Sequence, residues 1–324
     1  MRVLSSVLLV LSLIWSAYWF IGKNQVETRL TDALGNAPAY GMTANYGALS
    51  VAGFPNRFDT TVEDINLRDG VTGFGWDAPF FQVFALSYRP NHLIAAWPQE
   101  QTFHFGPFEM NVTSEDMRGS LIVDPTQDLT LNSSRFVATN ARVMPSWTDQ
   151  SVGLGQVYWA TRKSGSEENS HDMLLQISDL SLTEDLRRHL DPEFDRPALI
   201  EGLEIDASLR FAQPVSVQTV PHLTGLDIKS ASFHWGQAVL TLTGTLAIDA
   251  SGYPQGEMQL HVENWRDMAD ILTRLGLLQP GWEAAAEPLV SGSDTPETLE
   301  TTISYSGGLT YFGPLPVGPA PRIR

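Results

Sequence analysis

Val239-Leu240-Thr241-Leu242-Thr243-Gly244-Thr245-Leu246-Ala247-Ile248 places Leu240, Leu242, Leu246 and Ile248 on one alternation and three threonines on the other. Successive side chains of a strand point to opposite faces, so such a stretch reads as a strand with one apolar and one polar face. The same period of two recurs in Glu63-Asp64-Ile65-Asn66-Leu67, Thr102-Phe103-His104-Phe105 and Phe108-Glu109-Met110-Asn111-Val112-Thr113. It returns in Leu175-Gln176-Ile177-Ser178 and Leu203-Glu204-Ile205-Asp206. Turn signals at Arg68-Asp69-Gly70, Arg89-Pro90-Asn91 and Asp124-Pro125 separate these runs. Punctuated strands without long helices between them predict antiparallel meanders, not βαβ units. The fold class is therefore mostly β: antiparallel sheet, arranged as an open groove or a closed sandwich, with two or three short helices.

Those helices are read from capping and period. Leu182 to Leu190 has early acids and late bases and stops at Asp191-Pro192. Asn264 is placed to cap a second helix, with Trp265, Met268, Ile271, Leu272 and Leu275 on one stripe and a stop at Gly276. A third piece, Trp282 to Leu289, follows Pro280-Gly281. The apolar stripes read as core, not as cofactor boxes.

The N-terminus has a different character. Val3 to Gly22, VLSSVLLVLSLIWSAYWFIG, carries no charge, and eleven of its residues are Leu, Val, Ile or Phe. About twenty apolar residues span a hydrocarbon core of roughly 30 Å. At roughly −0.3 to −0.6 kcal/mol each, those eleven favour insertion by several kcal/mol. The anchor is assigned to residues 1–22, with Val3, Leu8, Leu11, Ile14, Trp15, Tyr18, Trp19 and Phe20 as its membrane-contacting residues. Trp15, Tyr18 and Trp19 are expected to form an aromatic belt at the interface. The alternative, a cleaved signal peptide, needs small residues where these rings crowd the chain. A helical extension is expected over 23–36, stopped by Gly35-Asn36-Ala37-Pro38, and a β-rich domain over 37–324. The polar stretch from Lys163 to Ser170 is either a hairpin tip or a boundary between two similar halves meeting near residues 163–200.

The 324 residues carry a net charge of −17 and contain no cysteine. Disulfides, thiolate zinc sites, iron–sulfur clusters and cysteine catalysis are thereby excluded. The acidic balance argues against nucleic acid as a partner, because phosphates call for clustered Lys and Arg. It also disfavours lying flat on anionic lipid, so the helix acts as a tether. No Gly-x-Ser-x-Gly elbow, P-loop or His-Glu-x-x-His pair occurs. The seven histidines (His92, His104, His171, His189, His222, His234, His261) never fall at i, i+2 or i+4 from one another. His104 and His234 lie within alternating runs and read as strand-face residues. Carboxylates at Glu167-Glu168, Asp179, Asp191, Glu193 and Asp195 form no pair whose separation the sequence defines. Asp191 to Pro197 reads as a rigid loop. No catalytic, cofactor-binding or metal-ligating residue is assigned, and no cofactor is expected.

Three phrases carry a family resemblance. They are Val51-Ala52-Gly53-Phe54-Pro55-Asn56-Arg57-Phe58-Asp59, Gly244 to Asp249 leading into Gly252-Tyr253-Pro254-Gln255-Gly256, and the closing run from Gly308 to Pro321. Together with the N-terminal helix they resemble the bacterial domain-of-unknown-function 2125 family (DUF2125) along essentially the whole chain. Asn56 stands where that family's pattern has a second aromatic residue. A looser likeness is to AsmA-like envelope proteins, which combine an inner-membrane anchor with a β-rich periplasmic body. That likeness implies a strongly curved β-sheet with an apolar groove that handles lipid. The resulting expectation is a non-enzymatic, single-pass bacterial inner-membrane protein with its bulk in the periplasm, serving envelope maintenance and binding or carrying phospholipid. A cleaved secreted form is the alternative location. The alternative functions are a scaffold with a filled core that binds envelope proteins, and a periplasmic hydrolase.

Overall fold

The computed structural model describes residues 2–165, 167–216, 219, 221–279, 281–290 and 295–323. The chain is mostly β, built on an antiparallel sheet of eighteen strands, and divides into two compact units. Unit 1 comprises Met1–Ile122 with Phe136–Asp149, and unit 2 comprises Val123–Arg135 with Gln150–Arg324.

Helix α1, Arg2–Gly35, opens unit 1 and is one continuous helix. It ends where Gly35-Asn36-Ala37-Pro38 predicts, in a 3-10 turn over Ala37–Tyr40. The strands that follow are β1 (Met42–Asn45), β2 (Ala48–Ala52), β3 (Arg57–Asp69), β4 (Phe74–Leu86) and β5 (Arg89–Ala96). Then come β6 (Glu100–Phe105), β7 (Phe108–Thr113), β8 (Asp116–Val123) and β9 (Leu131–Pro145). β3 is shared by β1 and β2, and β4 pairs with β5 at its C-terminal end and β6 at its N-terminal end.

One turn signal is displaced. Arg89-Pro90-Asn91 does not make the turn; Ser87-Tyr88 does, and Arg89 already pairs with Leu86. The ladder shifts register between Ala85 and Leu86, opposite Pro90. Proline cannot donate to a ladder and is accommodated at such an irregularity.

Unit 2 is built from β10 (Val152–Lys163), β11 (Ser170–Ser181), α2 (Glu184–Leu190), β12 (Leu199–Phe211), β13 (Leu223–Trp235), β14 (Ala238–Ile248) and β15 (Pro254–Glu263). It continues through α3 (Trp265–Arg274), α4 (Trp282–Val290), β16 (Thr298–Ser306), β17 (Leu309–Phe312) and β18 (Leu315–Pro319). Each strand from β10 to β18 pairs with its successor, an uninterrupted meander. The polar stretch from Lys163 to Ser170 is the tip of the β10–β11 hairpin, closed by the Ser164 N–H on the Ser170 carbonyl. Ser166 within it, and Pro280 ahead of α4, lie outside the described residues.

The helices sit where their sequence signals fall, with two differences. Thr183 caps α2, its Oγ1 accepting the Leu186 N–H at 3.2 Å. Asn264 takes the N-cap position of α3 but makes no side-chain cap; its backbone is left-handed and its Nδ2 donates to the Gln237 carbonyl at 2.7 Å. Leu275, expected on the buried stripe, is exposed because the helix has already ended at Arg274. The Asp191–Pro197 loop is tied down by hydrogen bonds. The buried Asp191 carboxylate accepts the N–H groups of Asp195 and Arg196, and the Pro197 carbonyl accepts the Trp235 indole at 3.0 Å.

The glycine of the deciding stretch is also explained. Gly244 has φ +146°, and a Cβ there would lie 2.4 Å from the Glu257 carbonyl oxygen. Only glycine allows β14 and β15 to approach this closely.

Candidate functional site

Two places bring distant residues together. The first is an apolar pocket of about 670 Å³ in unit 2. Its floor is set by register: Leu240 faces Val262, which faces Leu299, and Leu242 faces Leu260 in the next row. Ile303 opposite Phe312 extends it. These are the even-numbered leucines of the alternating stretch, so the apolar alternation of β14 becomes one wall of the pocket. Trp265, Met268, Ala269 and Leu272 of α3 supply the facing wall.

Helix α3 is held over the floor from several sides. The Trp265 indole donates to the Pro296 carbonyl at 3.1 Å, and Arg266 reaches the Glu287 carboxylate of α4 at 2.9 and 3.1 Å. Arg274 binds both Asp270 oxygens at 2.8 Å and exchanges bonds with the backbone and side chain of His189. The mouth is lined by Leu277, Leu278, Gln279, Trp282, Tyr311 and Val317, with the Trp282 ring edge-on to Phe312 at 4.7 Å. Polar groups are few: the hydroxyls of Tyr305, Thr310 and Tyr311 and the Gln279 amide. Burial pushes the Tyr305 phenol above its ordinary value, so it stands as a neutral hydroxyl. An apolar cavity of this size with a few polar groups at its edge is the usual form of a small-molecule site. The strand pattern foretold the floor; the mouth, drawn from residues far apart in the chain, left no local signal.

The second place is where α1 meets unit 1. Val3, Leu8, Leu11 and Ile14 are exposed around the helix. Trp15 and Tyr18 are exposed too, yet these aromatic residues also bond the body, as does the buried Trp19. Trp15 Nε1 donates to the Pro55 carbonyl at 3.0 Å, Tyr18 Oη to the Ser87 carbonyl at 2.7 Å, and Trp19 Nε1 to the Arg57 carbonyl at 2.7 Å. Trp19 is only 3% exposed, packed with Val51 and Phe58, and its ring meets Phe54 edge-on at 5.4 Å. The expectation of a lipid-facing belt is therefore corrected for Trp19, which faces the protein. An indole that finds both apolar packing and a carbonyl partner gains more there than at a wet interface. Phe20 remains exposed and stacks on Phe54. Gly22 permits the contact, since a Cβ would meet the Phe58 ring at 2.6 Å. The Gly53-Phe54-Pro55 phrase is thus the socket of the helix.

The polar clusters have structural partners. In unit 1 Arg68 grips both Asp77 oxygens at 2.7 Å, and His104 Nε2 bonds the same carboxylate at 2.8 Å. The Arg68 hydrogen bond holds the Asp77 carboxyl below its usual range. Glu167 pairs with Arg210 at 3.6 Å, Asp191 is committed to its loop, and Glu193 and Asp195 are exposed. Among the described residues, no group of three or more His, Asp or Glu side chains is placed to hold a metal ion.

Helix α1 from Val3 to Gly35 is long and apolar enough to cross a membrane or to be a signal sequence. A family model described as "Uncharacterized protein conserved in bacteria (DUF2125)" matches residues 19–321. No curated protein and no solved structure matches the chain.

Proposed function

The chain belongs to the DUF2125 family of uncharacterized bacterial proteins, and we propose that it is a non-enzymatic envelope protein that holds an acyl chain in the unit 2 pocket. In this reading α1 is an uncleaved inner-membrane anchor and the β-rich body lies in the periplasm, where it serves envelope maintenance. The observation that carries it is the pocket itself: walls of leucine, methionine and tryptophan, about 670 Å³ of space, and few polar residues in the lining. Such a lining matches a hydrocarbon tail with its polar end near Tyr305 and Gln279. The apolar character of Val3–Ile14 supports the anchor.

Native mass spectrometry of the full chain, released from detergent micelles, tests this reading. A phospholipid or fatty-acid adduct should persist under activation that strips detergent, and Leu242→Trp, which fills the pocket floor, should remove it. A wild-type spectrum without any lipid adduct, or an adduct unchanged by Leu242→Trp, overturns the reading.

A further inference from the structure

Every residue of α1 from Val3 to Ile14 is exposed, and at Trp15 the indole donates to the Pro55 carbonyl of the body. Before it lie Val3 to Ile14, twelve residues, or about 18 Å of helix at roughly 1.5 Å per residue. A hydrocarbon core is roughly 30 Å thick. The missing length of about 12 Å corresponds to roughly eight residues, the stretch from Trp15 to Gly22, which on one side is covered by protein. If α1 spans a bilayer, the loops docked on that stretch must enter it.

Their chemistry suits that position. The two loops are the Gly53–Asn56 segment and the Ser87–Tyr88 turn, joined by the Ser87 N–H on the Asn56 carbonyl. The carbonyls of Gly53, Pro55, Asn56, Arg57 and Ser87 all accept hydrogen bonds, from the backbone or from the three aromatic donors of α1. Pro55 has no N–H to satisfy. Internal pairing of this kind is what backbone requires where water is scarce. The largest side chains the loops present outward are aromatic: Phe54 is 53% exposed and stacks on the exposed Phe20 of the helix, and Tyr88 is 59% exposed, while Pro55 and Asn56 are exposed beside them. Arg57 and Arg89 follow directly on these loops and are both exposed, Arg57 pairing with Asp59 at 2.9 Å.

We propose that the Gly53–Asn56 loop and the Ser87–Tyr88 turn form a membrane-inserted collar along one side of α1, with Phe54 and Tyr88 at the boundary between acyl chains and headgroups. This rests on α1 being a membrane anchor. The collar completes the apolar length of the helix and fixes the body against the bilayer surface, in place of a free-swinging tether.

The absence of cysteine makes the test direct. Nitroxide labels at Leu8→Cys, Phe54→Cys, Tyr88→Cys and Val71→Cys are introduced one at a time into the full chain in phosphatidylcholine vesicles. Val71 is exposed beyond the far end of β3, about 40 Å along the strand from the socket. Collisions with oxygen and with a water-soluble nickel chelate report depth. The expected ratio of oxygen to nickel accessibility at Phe54 and Tyr88 is severalfold above that at Val71 and below that at Leu8. A bilayer value at Leu8 with Phe54 or Tyr88 equal to Val71 overturns the collar and leaves the anchor standing. An aqueous value at Leu8 overturns both. The two loop labels are independent, so a disturbance caused by losing one ring does not decide the result.

Discussion

The apolar faces of the two units meet different fates. In unit 2, the face of β14, β15 and β16 lies under α3 and α4, and a cluster including Trp235, Leu260, Trp265, Met268, Ile271 and Leu299 is buried. In unit 1 a comparable apolar row exists on strands. Phe105, Phe74, Phe103, Trp76, Phe81, Trp97 and Phe136 follow one another with ring centres 5.1 to 6.5 Å apart. None of these rings is buried. The helix of unit 1, α1, is packed instead at one end, on Val51 and Phe58. The same alternation of residues thus produces a filled core with a residual pocket in one unit and, in the other, an aromatic row that is partly covered but not buried. A strand pattern specifies which side chains share a face; what covers that face is decided elsewhere.

Four substitutions sharpen or break this comparison. The largest effect is expected at Trp265, 1% exposed. Trp265→Ala should cost about 3–5 kcal/mol by loss of transfer energy and creation of a cavity, read as a lowered denaturant midpoint for unit 2. Trp76→Ala, in the partly covered row, should cost about 1–2 kcal/mol, because its ring leaves less surface to lose. A loss equal to that at Trp265 would show that the row is buried and would break the contrast. Thr183→Ala removes the cap of α2, which clasps α3, and should cost about 1 kcal/mol. Serine at the same position should restore most of it.

The smallest effect is electrostatic. Asp77 is held below its ordinary pKa, chiefly by the Arg68 hydrogen bond. A carboxyl lowered on folding contributes stability that is fully present above its unfolded value of about 3.9 and lost as pH falls through its lower folded value. Both side chains of the Arg68–Asp77 pair are 36% exposed, so solvent screening keeps the contribution below about 1 kcal/mol. The stability difference between wild type and Asp77→Asn should therefore shrink as pH is taken below 4. A difference that stays constant over that range would mean the ion pair is not its source.

Much of this architecture was legible locally. The strand runs, the helix from Val3 onward, the stop at Gly35 and the cap at Thr183 all follow from periods and end signals that span fewer than about twenty residues. The misreadings share a cause. Arg89-Pro90-Asn91 looked like a turn because proline punctuates chains, yet a register shift in the ladder absorbs it. Asn264 looked like a cap, yet its amide is taken by Gln237, twenty-seven residues upstream. Trp19 looked like a lipid-facing ring, yet Arg57 and Phe58 supply a better partner. In the last two cases a contact from another part of the chain outweighed the local preference; in the first the hairpin's own ladder did.

The sequence by itself determined the β character of the body, the apolar N-terminal helix, the family, and the absence of thiol chemistry. These depend on composition and on neighbours a few residues apart. Tertiary structure alone decided that Leu240 and Leu242 line a pocket, that α3 and α4 close over it, and that Gly53-Phe54-Pro55 receives Trp15 and Trp19. The physical reason is that burial is a property of a pair of surfaces. The second surface comes from residues tens of positions away, and only folding brings the two together.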